Sequence, residues 1–359
     1  MRLVAAEIDL EALSFNLSRT KAFAPQSKIM AVLKANAYGH GLVKIAQHLA
    51  EADAFAVARI DEALALRAGG LTKPIVLLEG FFHEADLPIL LANNFQTIIH
   101  DETQLVALET ANLDAPIATW LKVDTGMHRL GIEPSQFESF YRRLKACANA
   151  KPNVNLMTHF ACADDLANDK TTKQIATFQH IINSQHEALC LANSAGIIGW
   201  PSSHGDWVRP GLMLYGVSPM VGQIGSDHGL KAVMRLTTKV IAIRKVAKGE
   251  GVGYGSRWQA KETTYLAVIA VGYGDGYPRH AKEGTPVMIA GKRFGIVGSV
   301  SMDMITVDIG ENTDNVKIGD AVEMWGPNLP VEEIAESAGT IPYELLCNVT
   351  PRVSYEYLG

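Results

Sequence analysis

Short apolar runs punctuate the first two thirds of the chain, at 29–33, 54–58, 74–79, 97–100, 117–123, 155–160 and 187–192. Each is the length of a strand and is apolar on consecutive residues, the pattern of a strand covered on both faces of a parallel sheet. Between them lie amphipathic stretches that read as helices, such as Asp61-Glu62-Ala63-Leu64-Ala65-Leu66-Arg67-Ala68 and the segment from Pro134 to Cys147. A further unit covers 207–216, from Trp207 through Arg209-Pro210-Gly211 to Gly216. Strands that recur every ~20–40 residues with helices between them are successive βα units. About eight units within roughly 220 residues predict a closed parallel (β/α)8 barrel, with an open doubly wound sheet as the alternative.

The texture changes near residue 231. Thr237 to Ile243, Tyr265 to Val271, Pro286 to Ile289 and Met304 to Ile309 are rich in β-branched residues and separated by glycine turns, while one helical stretch, Val331 to Ala338, interrupts them. This is the signature of a mainly antiparallel β domain. The segment from Gly222 to Gly229 is the predicted linker, so the expected division is a barrel over 1–230 and a β domain over 231–359.

Composition narrows the function classes. A net charge of -6 offers no basic footprint for nucleic acid. Hydrophobic residues make up 48%, yet no uninterrupted apolar run is long enough to span a bilayer, and the start Met1-Arg2-Leu3-Val4-Ala5-Ala6-Glu7-Ile8-Asp9 lacks the apolar core and cleavage site of a signal peptide. Cys147, Cys162, Cys190 and Cys347 lie far apart with no metal-ligand spacing, as expected of reduced thiols in a cytoplasmic protein.

Polar residues cluster where the predicted strands end, which is where a barrel carries its chemistry. Lys34 closes the run Lys28-Ile29-Met30-Ala31-Val32-Leu33 and is followed by a loop containing Gly39 and Gly41, with a helix starting at Leu42. A lysine in a poorly solvated strand end loses charge readily and becomes a usable nucleophile or base, although a lysine there can equally snorkel to water. Lys122 and Asp124 end another strand, Thr158 and His159 a third, Asn193-Ser194 follow a fourth, and Arg209-Pro210-Gly211 a fifth.

These positions carry a resemblance. Ala31-Val32-Leu33-Lys34-Ala35-Asn36-Ala37-Tyr38-Gly39-His40-Gly41 resembles the pyridoxal-phosphate lysine motif of alanine racemases. Lys122-Val123-Asp124-Thr125-Gly126-Met127-His128-Arg129-Leu130-Gly131, Val208-Arg209-Pro210-Gly211, Val252-Gly253-Tyr254-Gly255, Gly272-Tyr273-Gly274-Asp275-Gly276 and Ser301-Met302-Asp303 resemble further motifs of that family, in its order. The resemblance implies a barrel that carries pyridoxal 5'-phosphate, a C-terminal β domain with which the first residues pack, and a head-to-tail homodimer with shared active sites. It implies interconversion of L- and D-alanine, either supplying D-alanine for peptidoglycan or degrading it.

The same resemblance assigns roles. Lys34 would hold the cofactor covalently and act as base on one face of the substrate. Tyr254, from the other subunit, would act on the opposite face, in a chain running through His159 to Arg209. Arg209 would face the pyridine nitrogen, where a guanidinium has no proton to give up. Tyr38, Ser194 and the backbone N–H groups of Gly211 and Leu212 would hold phosphate. Arg129 and the backbone N–H of Met302 would meet the substrate carboxylate, and Tyr273 would narrow the entrance. Lys122 stands where some members carry a carbamate that orients the arginine. One departure is visible: Pro351 occupies the position of a phosphate-contacting tyrosine, and Tyr355 and Tyr357 are out of register with it. Two other readings stay open on the sequence, a related barrel enzyme for another amino acid and a non-catalytic pyridoxal-phosphate carrier. The second leaves residues 231–359 without a purpose, and a decarboxylase would not need the Tyr254 motif.

Overall fold

The computed structural model describes residues 3–182 and 187–359. The chain forms two compact units, one built from Ser14–Leu214 with Pro219–Gln223, the other from the N-terminal segment through Leu13 with Tyr215–Ser218 and Ile224–Gly359.

The first strand, β1 (Ala5–Asp9), belongs to the second unit. The first unit is a closed parallel barrel of β2 (Lys28–Val32), β3 (Ala54–Val57), β4 (Ile75–Leu77), β5 (Phe95–Ile99), β6 (Thr119–Lys122), β7 (Asn155–Met157), β8 (Leu189–Asn193) and β9 (Trp207–Arg209), in sequence order. The barrel closes where β9 pairs with β2, Trp207 opposite Lys28 and Val208 opposite Ile29. All eight expected units are present, and the open-sheet alternative falls away because β2 has a neighbour on both sides. Ile29–Val32, Ala54–Val57 and Ile75–Leu77 are buried along their whole length, as consecutive apolar residues require of a strand walled by side chains inside and helices outside. Helices Ile60–Ala68 and Phe137–Ala146 lie where the amphipathic stretches placed them.

The second unit contains β10 (Met234–Val246), the short pair β11 (Gly251–Val252) and β12 (Trp258–Gln259), β13 (Thr264–Ile269), β14 (Pro286–Ile289), β15 (Lys292–Val297), β16 (Ile305–Asp308), β17 (Ala321–Trp325) and β18 (Ser354–Leu358). Its main sheet runs β13-β16-β15-β14-β17-β10-β1-β18. The 13-residue β10 pairs with β17 and β1 at one end and, past an irregularity between Val240 and Ala242, with β13 at the other, which bends the sheet back on itself. Pairing is antiparallel except between β1 and β18. The helix Val331–Ala338 matches expectation; a second one, Pro342–Cys347, follows it. Among the described residues no helix is long and apolar enough to cross a membrane, and all four cysteines are free thiols.

Candidate active site

The barrel strands deliver their chemistry at their C-terminal ends. Lys34 lies two residues beyond β2 and is half-buried. The loop after it is strained: Ala35, Asn36, Ala37 and Tyr38 have φ of 55°, 55°, 53° and 52°, a left-handed turn made without glycine. Each such residue costs on the order of 1–2 kcal/mol, so the turn persists only because its surroundings fix it. Glu62 accepts the Ala35 N–H at 2.6 Å, the Ala37 N–H reaches the Leu33 carbonyl at 2.7 Å, and the Asn36 side chain accepts the Leu42 N–H at 2.8 Å. Beneath the turn His40 is completely buried, with Nδ1 2.8 Å from the Tyr38 carbonyl and 3.1 Å from that of Ala37. Burial pushes its pKa down to about 4, against the pull of those two carbonyls, so the ring is neutral and Nδ1–H donates.

Arg209, at the end of β9, is 4% exposed. Its Nη1 donates to the Cys190 carbonyl at 2.7 Å and contacts the Cys190 sulfur at 3.0 Å; its Nη2 donates to the Thr158 carbonyl at 2.7 Å and the Leu191 carbonyl at 3.2 Å. Nη2 also lies 3.2 Å from His159 Nδ1. A guanidinium only donates, so His159 Nδ1 is the acceptor and its proton sits on Nε2. Burial, then the charges of Arg209, Lys122, Arg129 and Lys34, holds the His159 pKa well below the usual imidazole range.

Lys122 ends β6 and is 7% exposed. Burial, then Arg209, Arg129 and Lys34, lowers its pKa to about 7. The acid beside it, Asp124, gives its oxygens to backbone: Oδ1 accepts the N–H of Gly126 at 2.8 Å and of Met127 at 2.9 Å, and Oδ2 that of Arg129 at 3.1 Å. Burial would raise its pKa, but these N–H donors together lower it. Asp124 therefore shapes the loop that carries the exposed Arg129.

Ser194 is buried, and its hydroxyl oxygen accepts the N–H of Gly211 at 2.8 Å and of Met213 at 3.4 Å. Gly211 has no room for a side chain, since a Cβ there would lie 2.5 Å from the Tyr38 hydroxyl. Tyr38, Ser194, Gly211 and the buried Leu212 thus meet at one corner of the barrel mouth. This arrangement of polar groups, next to Arg209, Arg129, Lys34 and Lys122 with Asp124 already engaged, suits a ligand carrying phosphate and carboxylate charge. Pyridoxal 5'-phosphate fits these residues: the Ser194 and Tyr38 hydroxyls beside the side-chain-free Gly211 for the phosphate, a lysine for covalent attachment, and the fixed Arg209 cation.

The remaining predicted residues stand in the β unit. Tyr254 opens a short 3-10 turn between Gly253 (φ 72°) and Gly255 (φ 73°) and is 75% exposed. With Met302, Met304 and Ser301 it lines a cavity of about 550 Å³. Tyr273 is 41% exposed and Met302 51% exposed. Residues 348–352, which include Pro351, run beside the Tyr273 turn, with the Thr350 N–H on the Asp275 carbonyl at 3.1 Å.

Sequence reasoning missed Glu62, His40 and Cys190 as supports of the site. His40 stood inside the lysine motif, and its position between two glycines of a tight loop was the available signal. Glu62 and Cys190 gave none, because the groups they support, the Ala35 N–H and Arg209, are distant in the sequence.

A lysine-bearing barrel mouth with a built anion corner defines an enzyme of the pyridoxal-phosphate barrel class. The model for "Alanine racemase, N-terminal domain" matches residues 8–219, and that for "Alanine racemase, C-terminal domain" matches 233–357. The chain is 52% identical to an alanine racemase of Vibrio atlanticus over 358 residues, 100% of both chains, and 52% identical to one of Shewanella woodyi over 349 residues, 97% of both. The biosynthetic alanine racemase of Pseudomonas aeruginosa superposes with a TM-score of 0.97 at 40% identity, and the alanine racemase of Acinetobacter baumannii with 0.94 at 38%, each over 100% of both chains. The chain belongs to the alanine racemase family.

Proposed function

We propose that the protein interconverts L- and D-alanine with Lys34 and Tyr254 as the two acid/base groups, using pyridoxal 5'-phosphate. The observation that carries this reading is the cluster of Lys34, Lys122, Arg129 and Arg209 around a neutral His159, next to the Ser194–Gly211–Tyr38 corner. Bound there, the cofactor would supply the electron sink that stabilises alanine after loss of its α-proton. Lys34 takes and returns the proton on one face. Arg129 and the Met302 N–H orient the carboxylate, and Ser194, Tyr38, Gly211 and Leu212 hold phosphate. Arg209 stays cationic and fixed, because its two terminal nitrogens are saturated by carbonyls, sulfur and His159.

Inversion needs a group on the opposite face, and Tyr254 is that group in a head-to-tail homodimer whose subunits share sites. A phenol with an ordinary pKa near 10 needs help to serve as a base at neutral pH. His159 Nε2–H, polarised through Nδ1 by Arg209, is the donor suited to stabilise the phenolate. Lys122, with its pKa lowered to about 7, is substantially unprotonated near neutrality and so open to carbamylation by CO2. A cytoplasmic enzyme that supplies D-alanine for peptidoglycan or degrades it is the physiological reading.

The test is proton NMR of each isomer in heavy water with Tyr254→Ala. Racemisation should fail in both directions. The α-hydrogen of D-alanine should still exchange through Lys34, while that of L-alanine should not. Equal exchange of both isomers, or exchange of the L-isomer alone, would remove Tyr254 from this role.

A further inference from the structure

Two turns of the β unit, 272–276 and 301–304, are packed backbone to backbone. The Tyr273 N–H donates to the Ser301 carbonyl at 3.1 Å and the Gly274 N–H to the Met302 carbonyl at 2.9 Å. A Cβ at Gly272 would lie 2.3 Å from both of those carbonyl oxygens, so this approach demands glycine. A third segment closes the group: the Thr350 hydroxyl donates to the Gly274 carbonyl at 2.9 Å. The side chains of Tyr273 and Met302 stand out from this clamped backbone.

One guanidinium spans the turns. Arg352 Nε lies 3.3 Å from Asp275 Oδ1, and its Nη2 lies 2.7 Å from Asp303 Oδ1. Asp275 is 4% exposed, and its other oxygen accepts the Gly272 N–H at 3.0 Å. Arg352 is thus the counter-charge of a buried carboxylate on the Tyr273 turn and, with another arm of its fork, holds the carboxylate next to Met302. A lysine has a single nitrogen and cannot reproduce both contacts.

We propose that Arg352 is a positioning residue for substrate size: by tying Asp275 to Asp303 it fixes Tyr273 and Met302 in the spacing that admits alanine and rejects larger amino acids. This rests on the racemase reading above. Without Arg352 the Asp275 carboxylate keeps only backbone help, the turns separate more easily, and the discrimination supplied by rigid walls relaxes.

The experiment uses the full-length holoenzyme with Arg352→Ala, Arg352→Lys and Asp303→Asn. Hydrogen exchange at the Tyr273 and Gly274 amides should quicken about tenfold in Arg352→Ala, as expected for losing charge-assisted hydrogen bonds, while barrel amides stay unchanged. KM for alanine should rise several-fold with kcat nearly constant. The kcat/KM ratio of alanine to lysine should fall about tenfold, with Arg352→Lys closer to the alanine variant than to wild type. Asp303→Asn should shift the same readouts in the same direction while leaving the buried Asp275 paired, so it decides the matter if Arg352→Ala does not fold. Unchanged exchange, or faster exchange with an unchanged substrate ratio, would overturn the proposal. Failure of the wild type to racemise alanine would strike the racemase reading instead, and the exchange measurement would still judge the clamp.

Discussion

Replacing His40 with Asn should make the Lys34 loop insensitive to acid. An asparagine can place an N–H near the Nδ1 position and donate to the Tyr38 and Ala37 carbonyls, but it cannot take up a proton. In the wild type the folded loop holds His40 with a pKa of about 4, against 6.5 when the loop opens. Between those values the open loop binds the proton and the closed loop does not, so closure is destabilised as pH falls below 6.5, and the loss levels off below 4. Each pH unit in that window costs about 1.4 kcal/mol, so by pH 5 the loop loses about 2 kcal/mol, roughly a thirtyfold increase in opening. His100, His159 and His228 are shifted in the same direction, so the wild type alone cannot isolate this contribution. The assay is hydrogen exchange at the amides of Ala37, Gly39 and Gly41, which bond the carbonyls of Leu33, Ala35 and Asn36, corrected for the intrinsic pH dependence of exchange. Wild type should lose about twentyfold in protection between pH 7 and pH 5, and His40→Asn should lose almost none. Parallel losses in the two proteins would refute the reasoning.

Two further outcomes are expected. Mixing inactive Lys34→Ala with inactive Tyr254→Phe should restore activity through a hybrid site with both groups intact; no recovery despite proven subunit exchange would mean that each chain builds its own site. With 13C-labelled bicarbonate, a carbamate resonance should appear, grow as pH rises through about 7 where Lys122 loses its proton, and vanish in Lys122→Gln; a resonance indifferent to that substitution would clear Lys122.

The barrel was readable because its signal is local. Five consecutive apolar residues before Lys34 and amphipathic stretches between the runs, such as 61–68 and 134–147, report burial and period without knowledge of the neighbours. The β unit was only half readable. β15, Lys-Arg-Phe-Gly-Ile-Val at 292–297, opens with two charges and contains a glycine, so alternation is weak. β1 left no local trace, because its partners β10 and β18 begin at Met234 and Ser354; only the family resemblance implied that the first residues pack with the C-terminal domain. The left-handed turn after Lys34 was hidden for a related reason. Its residues are two alanines, an asparagine and a tyrosine, and what permits their φ values is Glu62 from the next βα unit and the buried His40. Tyr254 was legible only through its resemblance to a family motif, since a tyrosine between two glycines is otherwise an ordinary turn.

The electrostatics of the barrel mouth constrain the chemistry further than the list of residues does. His159 is the natural candidate for a second acid/base group, being the imidazole at the centre of the cluster. It is unsuited to that task. Its Nδ1 is occupied as an acceptor from Arg209, and burial with the surrounding cations resists a second proton. It can offer Nε2–H to an anionic oxygen, but it cannot cycle between two charge states at neutral pH. Lys122 titrates in the right range, but it is buried among those same cations, so what its position favours is an anionic form. On the proposed reading Lys34 is the barrel's own base, and the proton for the other face comes from outside the strand ends. Tyr254 of the proposed partner subunit, offered the Nε2–H of a histidine that resists protonation, would satisfy that requirement, which is why the Tyr254→Ala exchange pattern, one isomer retained and one lost, is the measurement on which the two-base mechanism turns.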